Sequence, residues 1–339
     1  ILSLSLSLSL FHIYIHTYVC AHTHTHTHRE RERERESLCP RNAMSESSAV
    51  ADAHSRLATQ FHYRFNEDGK LVHVDTGEGF KSVSQEDYEA VGECVLEYIQ
   101  ERMVTEYGLV KTLIPVGANE ETDPACDIYL SEDVATNENM LILIQGCGAV
   151  RAGQWARSCC INDTLRSGSI FPCLDQAKEL GWSVVVMNPN KVTVKNKHVP
   201  GASTSEEHAC YVWENFVAPS SAKQIYVIAH SYGGQCTMAL LSSPFTYEDV
   251  LQRVVAIAFT DSAHSLGRQE LPSASGDFLK TRCRNWVASS LPRDTRVQEV
   301  DSYAGMPCVS AGHTRHEYTT GSAFPSIFPF FEKMTQERQ

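Results

Sequence analysis

No two cysteines of this sequence stand in a Cys-x-x-Cys pair, and none of the ten from Cys94 onward shares a zinc-type spacing with histidine. No metal or cofactor site is therefore predicted. Nor does the chain contain the run of about 18 continuous apolar residues that a membrane-spanning helix needs, so no membrane role is expected. Basic residues are also in the minority, 29 Lys+Arg against 41 Asp+Glu for a net charge of −12, whereas a phosphate backbone is bound by clustered Lys and Arg. Direct DNA binding is not expected. Several of the cysteines sit in apolar runs, where a free thiol packs as a small hydrophobe, and this pattern fits a reducing compartment.

The beginning of the chain is repetitive: Leu-Ser over 2–10, mostly His-Thr over 21–28 and Arg-Glu over 29–36. The dinucleotide repeats CTCTCT, CACACA and AGAGAG encode these three tracts. The pattern predicts that 1–43 is a disordered, translated untranslated region and that Met44 starts the protein. On that reading the body has 296 residues, with 24 basic and 37 acidic side chains and a net charge of −13. The His-Thr tract is then no metal site, and the apolar tract before it, which has no basic n-region, is no signal peptide.

Residues 44–60 are small and polar, which predicts a flexible N-terminus. Beyond them, 61–65 and 71–74 flank Asn66-Glu67-Asp68-Gly69 and read as a β-hairpin. Ser84 followed by Glu86 and Asp87 opens a helix whose apolar positions Val91, Val95, Tyr98, Ile99 and Met103 recur at helical spacing up to Gly108. Short β-rich runs follow at 111–114 and 128–130. Four continuous apolar runs, 141–144, 183–187, 226–229 and 254–259, each end in a polar or glycine-rich turn, with helical segments at 170–180, 206–217 and 233–241. Such runs describe a mostly parallel sheet covered on both faces, a fold that binds ligands beyond the carboxyl ends of its strands. Without a composition break, 61–335 reads as one α/β domain.

The third run leads into Ala229-His230-Ser231-Tyr232-Gly233, a strand-to-helix turn of the Gly-x-Ser-x-Gly type with alanine for the first glycine. Small residues two before and two after Ser231 let the turn pass its neighbouring strands, so the Ser231 hydroxyl projects outward as a nucleophile. The Tyr232 N–H, at the helix start, can face a developing oxyanion, and Cys147 or Gly148 after the 141–144 strand can supply a second donor. For the base, His316 in the late His313-Thr314-Arg315-His316 loop is preferred to His313. For the acid, Asp294 ranks first because it follows the strand-like 286–289 segment, and Asp261 after 254–259 is the alternative. His264 reads as structural. Arg151 and Arg157, on either side of Trp155, suit either an anionic ligand or ion pairing, and Lys191, Lys195, Lys197 and His198 read as a solvated loop.

These stretches also resemble a known family. The string from Gly148 through Arg151-Ala152-Gly153-Gln154-Trp155-Ala156-Arg157, Asn188-Pro189-Asn190, Glu206-Glu207-His208-Ala209, Tyr211-Val212-Trp213, the Ser231 elbow, Thr260-Asp261-Ser262 and Arg315-His316-Glu317 are similar to the Arb-two (argonaute-binding protein two) domain of cotranscriptional regulators. The resemblance runs from about Phe61 to Phe331. It implies an α/β-hydrolase-like fold, a nuclear location with some cytoplasmic presence allowed, and action with argonaute and chromatin or splicing proteins in heterochromatin silencing or alternative splicing. It further implies that Ser231 matches the family's nucleophile position. The residues alone keep a second expectation open, an active serine hydrolase cleaving an ester or amide.

Overall fold

The computed structural model describes residues 52–264 and 271–338, and the expectations for 1–43 lie outside them. Of the stretch expected to be flexible, Asp52–Thr59 is a helix. Ala53 and Leu57, one turn apart, are buried against helix Gln85–Thr105. Two apolar residues at helical spacing suffice once a partner surface exists, which a reading of local polarity misses.

Two short strands, β1 (Tyr63–Phe65) and β2 (Leu71–His73), form the expected antiparallel hairpin with Phe65 opposite Leu71. In helix Gln85–Thr105 the Ser84 side chain caps the start by accepting from the Asp87 N–H at 3.0 Å. Its apolar stripe of Val91, Val95, Ile99 and Met103 is buried.

The central sheet is built from β3 (Leu109–Ile114), β4 (Cys126–Ser131), β5 (Asn139–Ile144) and β6 (Ser183–Val186). Outside it, β7 (Thr193–Val194) and β8 (Lys197–His198) make a two-stranded ribbon. The sheet continues with β9 (Gln224–His230), β10 (Val254–Thr260), β11 (Cys283–Val287) and β12 (Cys308–Ser310). Its order is β3-β4-β6-β5-β9-β10-β11-β12, with β4 antiparallel to both neighbours and every other neighbouring pair parallel. Eight strands in this order with the second one reversed make an α/β-hydrolase fold.

Burial on both faces explains why these strands show no alternation in sequence. In β5, Met140, Ile142 and Ile144 join one core with Trp213 and helix Gly233–Ser242. Leu141 and Leu143 join the other with Trp155, Ile99 and Phe331. Helix Thr319–Arg338, which supplies Phe331, contains Pro325 and Pro329 and packs on β10. The segment read as one helix over 206–217 is α-helical over Ser205–Val212 and widens to a π-turn over Trp213–Val217.

After β5 the chain runs outward to β6 and then returns to place β9 on the opposite side of β5. The two connections leave β5 and β9 in opposite directions, which opens a crevice at their carboxyl ends. Gly146 and Ser231 stand at its two sides.

Candidate functional site

Ser231 follows β9 with φ +52°, a left-handed conformation that costs a non-glycine residue about 1–2 kcal/mol. Two backbone bonds hold it there: Ser231 N–H donates to Thr260 O at 3.0 Å, and Ala263 N–H donates to Ser231 O at 2.9 Å. Small residues are obligatory on two sides. A Cβ on Gly233 would come 2.4 Å from Ile144 O, and one on Gly146 would come 2.7 Å from Ser231 Cβ. Ala229, which stands in place of the first glycine, is fully buried within β9.

Asp261 follows β10, also in a left-handed conformation with φ +46°. One carboxylate oxygen, Oδ2, accepts from His316 Nδ1 at 2.7 Å and the other, Oδ1, accepts from the Ala288 N–H at 3.0 Å. The bond to Asp261 raises the His316 pKa above its ordinary value. Burial alone would raise the Asp261 pKa, but the hydrogen bonds from His316 and the Ala288 N–H hold it below the usual carboxylate value. Asp294, ranked first from sequence, stands elsewhere. It accepts from Trp286 Nε1 at 2.8 Å and from Ser326 Oγ at 2.6 Å. After β11 the chain doubles back, with Asp294 N–H donating to Ser310 O and Arg296 bridging to Val309. That reversal turns Asp294 toward helix Thr319–Arg338 and leaves Asp261 as the carboxylate on His316.

His313, His264 and His230 each hold contacts apart from Asp261. His313 Nδ1 accepts from the Arg315 N–H at 3.1 Å, and its ring stacks on Tyr318. His264 is buried between Ser262 Oγ and Ala304 O, at 2.5 and 2.9 Å. Buried His230 is bonded through Nδ1 to Thr260 O at 3.0 Å, and burial, with the His316 charge adding to it, lowers its pKa to about 4. Ser231 and His316 line one cavity of about 320 Å³ together with Tyr88, Val150, Trp155 and His230. Among the described residues no hydrogen bond joins Ser231 Oγ to His316, whose ring is held through Nδ1 by Asp261.

The turn Gly146-Cys147-Gly148 is held from behind. Asn190 Nδ2 donates to Gly146 O at 2.6 Å and to Val150 O at 3.0 Å, while Asn188 Oδ1 accepts from the Ala152 N–H at 3.1 Å. Because the peptide is planar and trans, drawing the Gly146 carbonyl toward Asn190 turns the Cys147 N–H the opposite way. Gly148 has φ +106°. Among the described residues the N–H groups of Cys147, Gly148 and Tyr232 form no backbone hydrogen bond. Asn188 is anchored in turn, its N–H donating to buried His208 Nε2 at 3.0 Å, and burial pushes the His208 pKa down to about 3. From sequence, Asn188-Pro189-Asn190 read as a strand end and as one of the stretches similar to the family, with no role assigned to its two amides.

Arg157 Nη2 donates to Glu89 O at 2.7 Å, and Nη1 lies 3.3 Å from Glu93 Oε1. Arg151 Nη1 donates to Val150 O at 2.8 Å. Arg157 also lines the cavity, and its buried Nε has no hydrogen-bond partner among the described residues. Lys191 pairs with Asp127, and Lys195 Nζ donates to Glu121 O at 2.6 Å. Among the described residues no three His, Cys, Asp or Glu side chains are grouped to hold a metal, and no helix is long and apolar enough to cross a membrane.

The family model described as the Arb2 domain matches residues 56–198 and 191–293. The human protein named cotranscriptional regulator ARB2A is 35% identical over 339 residues, 82% of this chain and 80% of that protein. A Caenorhabditis elegans FAM172 family protein homolog is 40% identical over 276 residues, 80% of this chain and 85% of that protein. Among solved structures, the histone deacetylase Clr3 superposes with a TM-score of 0.48 at 13% identity, over 75% of this chain and 40% of that chain. The chain belongs to the Arb2 domain family, together with the proteins named cotranscriptional regulator ARB2A.

Proposed function

We propose that this chain is a nuclear cotranscriptional regulator that acts with argonaute in small-RNA-linked heterochromatin silencing or alternative splicing, using the α/β-hydrolase fold as its scaffold. The observation that carries this reading is its kinship, at 35% identity over 82% of the chain, with a protein named as a cotranscriptional regulator. An acidic chain would reach nucleic acid through protein partners rather than by direct contact. The test is recovery of argonaute with the tagged chain from nuclear extract. Recovery is expected, and soluble nuclear protein without argonaute overturns the reading.

A second reading is favoured by the Asp261–His316 pair. In it the domain is an active serine hydrolase for an ester or amide. His316 takes the Ser231 proton, Ser231 attacks the carbonyl carbon, and the N–H groups of Tyr232 and Cys147 or Gly148 receive the oxyanion. Turnover of small acyl esters is expected and should vanish in Ser231→Ala. Equal turnover by the variant contradicts it.

A further inference from the structure

Beside the nucleophile lies a second imidazole that this triad does not use. His230 is 3% exposed and forms part of the cavity wall, with its ring centroid 4.8 Å from that of His316 and 6.5 Å from that of Trp155. Its Nδ1 has three oxygen neighbours: Thr260 O at 3.0 Å, Thr260 Oγ1 at 3.2 Å and Thr320 Oγ1 at 3.2 Å. A carbonyl oxygen only accepts, so Nδ1 carries the proton. Burial keeps the ring neutral, which leaves Nε2 as a lone-pair acceptor. The hydrogen bonds His230 forms among the described residues all run through Nδ1, and Nε2 is not one of the buried atoms cut off from both solvent and partner. His230 lines the cavity, and Nε2 is the ring nitrogen that Thr260 and Thr320 do not hold.

Acyl-transfer chemistry gives such an acceptor a specific use. When Ser231 Oγ adds to the carbonyl, His316 holds the hydroxyl proton and must deliver it to the leaving group, which therefore sits beside His316. An ester oxygen receives that proton on any free lone pair and carries no hydrogen of its own. An amide nitrogen has one lone pair, which must turn toward His316, and its N–H must then point elsewhere in the cavity. An N–H left there without an acceptor opposes the step.

We infer that His230 is a specificity-determining residue that accepts the substrate's scissile N–H through Nε2, and that the site is built for N-acyl amines rather than esters. The inference rests on the hydrolase reading of Ser231. In the reaction the Ser231 Oγ–C bond forms, the C–N bond breaks, and the proton lost by Ser231 leaves on the amine. Water then attacks the acyl-serine, yielding a carboxylic acid and restoring the Ser231 hydroxyl.

The test compares butyryl 4-nitroanilide with 4-nitrophenyl butyrate on the full chain, as wild type, His230→Phe and His230→Gln. The Phe variant keeps a ring without an acceptor, and Gln restores an acceptor. Loss of one hydrogen bond in the transition state predicts a fall of about tenfold in the amide-to-ester ratio of kcat/KM for Phe, with partial recovery for Gln. If both rates fall together in Phe, or the ratio does not move, His230 is structural and the inference fails while the hydrolase reading stands. If the wild type turns over neither substrate and Ser231 takes no fluorophosphonate, the hydrolase reading fails and takes this inference with it.

Discussion

Asp261→Asn should slow the acylation of Ser231 by about 10³-fold or more, because an amide that donates to His316 Nδ1 holds the imidazole in the wrong tautomer. Asp294→Asn should change that rate by less than about threefold, since its carboxylate serves Trp286 and Ser326, at a stability cost of about 1 kcal/mol. The rate of covalent labelling of Ser231 by a fluorophosphonate measures both variants. If the Asp294 variant is the slow one, the assignment of the acid is wrong.

The same pair sets the pH dependence. Asp261 raises the His316 pKa above its ordinary 6.5, and only neutral His316 can take a proton. Labelling by the wild type should therefore rise with pH through a midpoint above 6.5, and Asp261→Asn should bring that midpoint down. Both groups stabilise the fold, with opposite pH dependence. That of His316 is complete below 6.5 and is lost as the pH rises through its raised value, while that of Asp261 is present above 3.8 and is lost as the pH falls through its lowered value.

Gly233→Ala is the second large effect. Its Cβ would lie 2.4 Å from the backbone oxygen of Ile144 in the central strand β5, and neither partner can swing aside as the end of a flexible side chain would. A loss of about 3 kcal/mol is expected, seen as a melting temperature lower by about 6–12 °C, together with loss of Ser231 labelling as the elbow shifts. Gly276→Ala is the control. It lies in helix Ser273–Arg282 with open space around its Cβ position, and alanine there should stabilise by about 0.5–1 kcal/mol. Equal melting temperatures for the two variants would show that the elbow is not packed as described.

The elements legible in the sequence were those whose signals are local. Strands buried on both faces showed as unbroken apolar runs, Ser84 announced a helix, and the glycine two after Ser231 announced the elbow. The choice between Asp261 and Asp294 was not legible, because both follow a strand and only the reversal after β11 separates them. Helix Thr319–Arg338 was hidden by Pro325 and Pro329, whose cost is offset by burying Ile327, Phe330 and Phe331. The clamp of Asn190 on Gly146 joins residues 44 apart, and nothing in either neighbourhood marks the other. The turn Gly146-Cys147-Gly148 was legible because it directly follows its strand.

The Ser231, His316 and Asp261 geometry is tested most directly by treating the full chain with a fluorophosphonate and mapping the adduct by peptide mass spectrometry. A single adduct on Ser231, absent from Ser231→Ala and strongly reduced in His316→Ala, is the predicted result. Folded wild-type protein that takes no adduct, or takes one equally in the Ser231→Ala variant, would contradict the account.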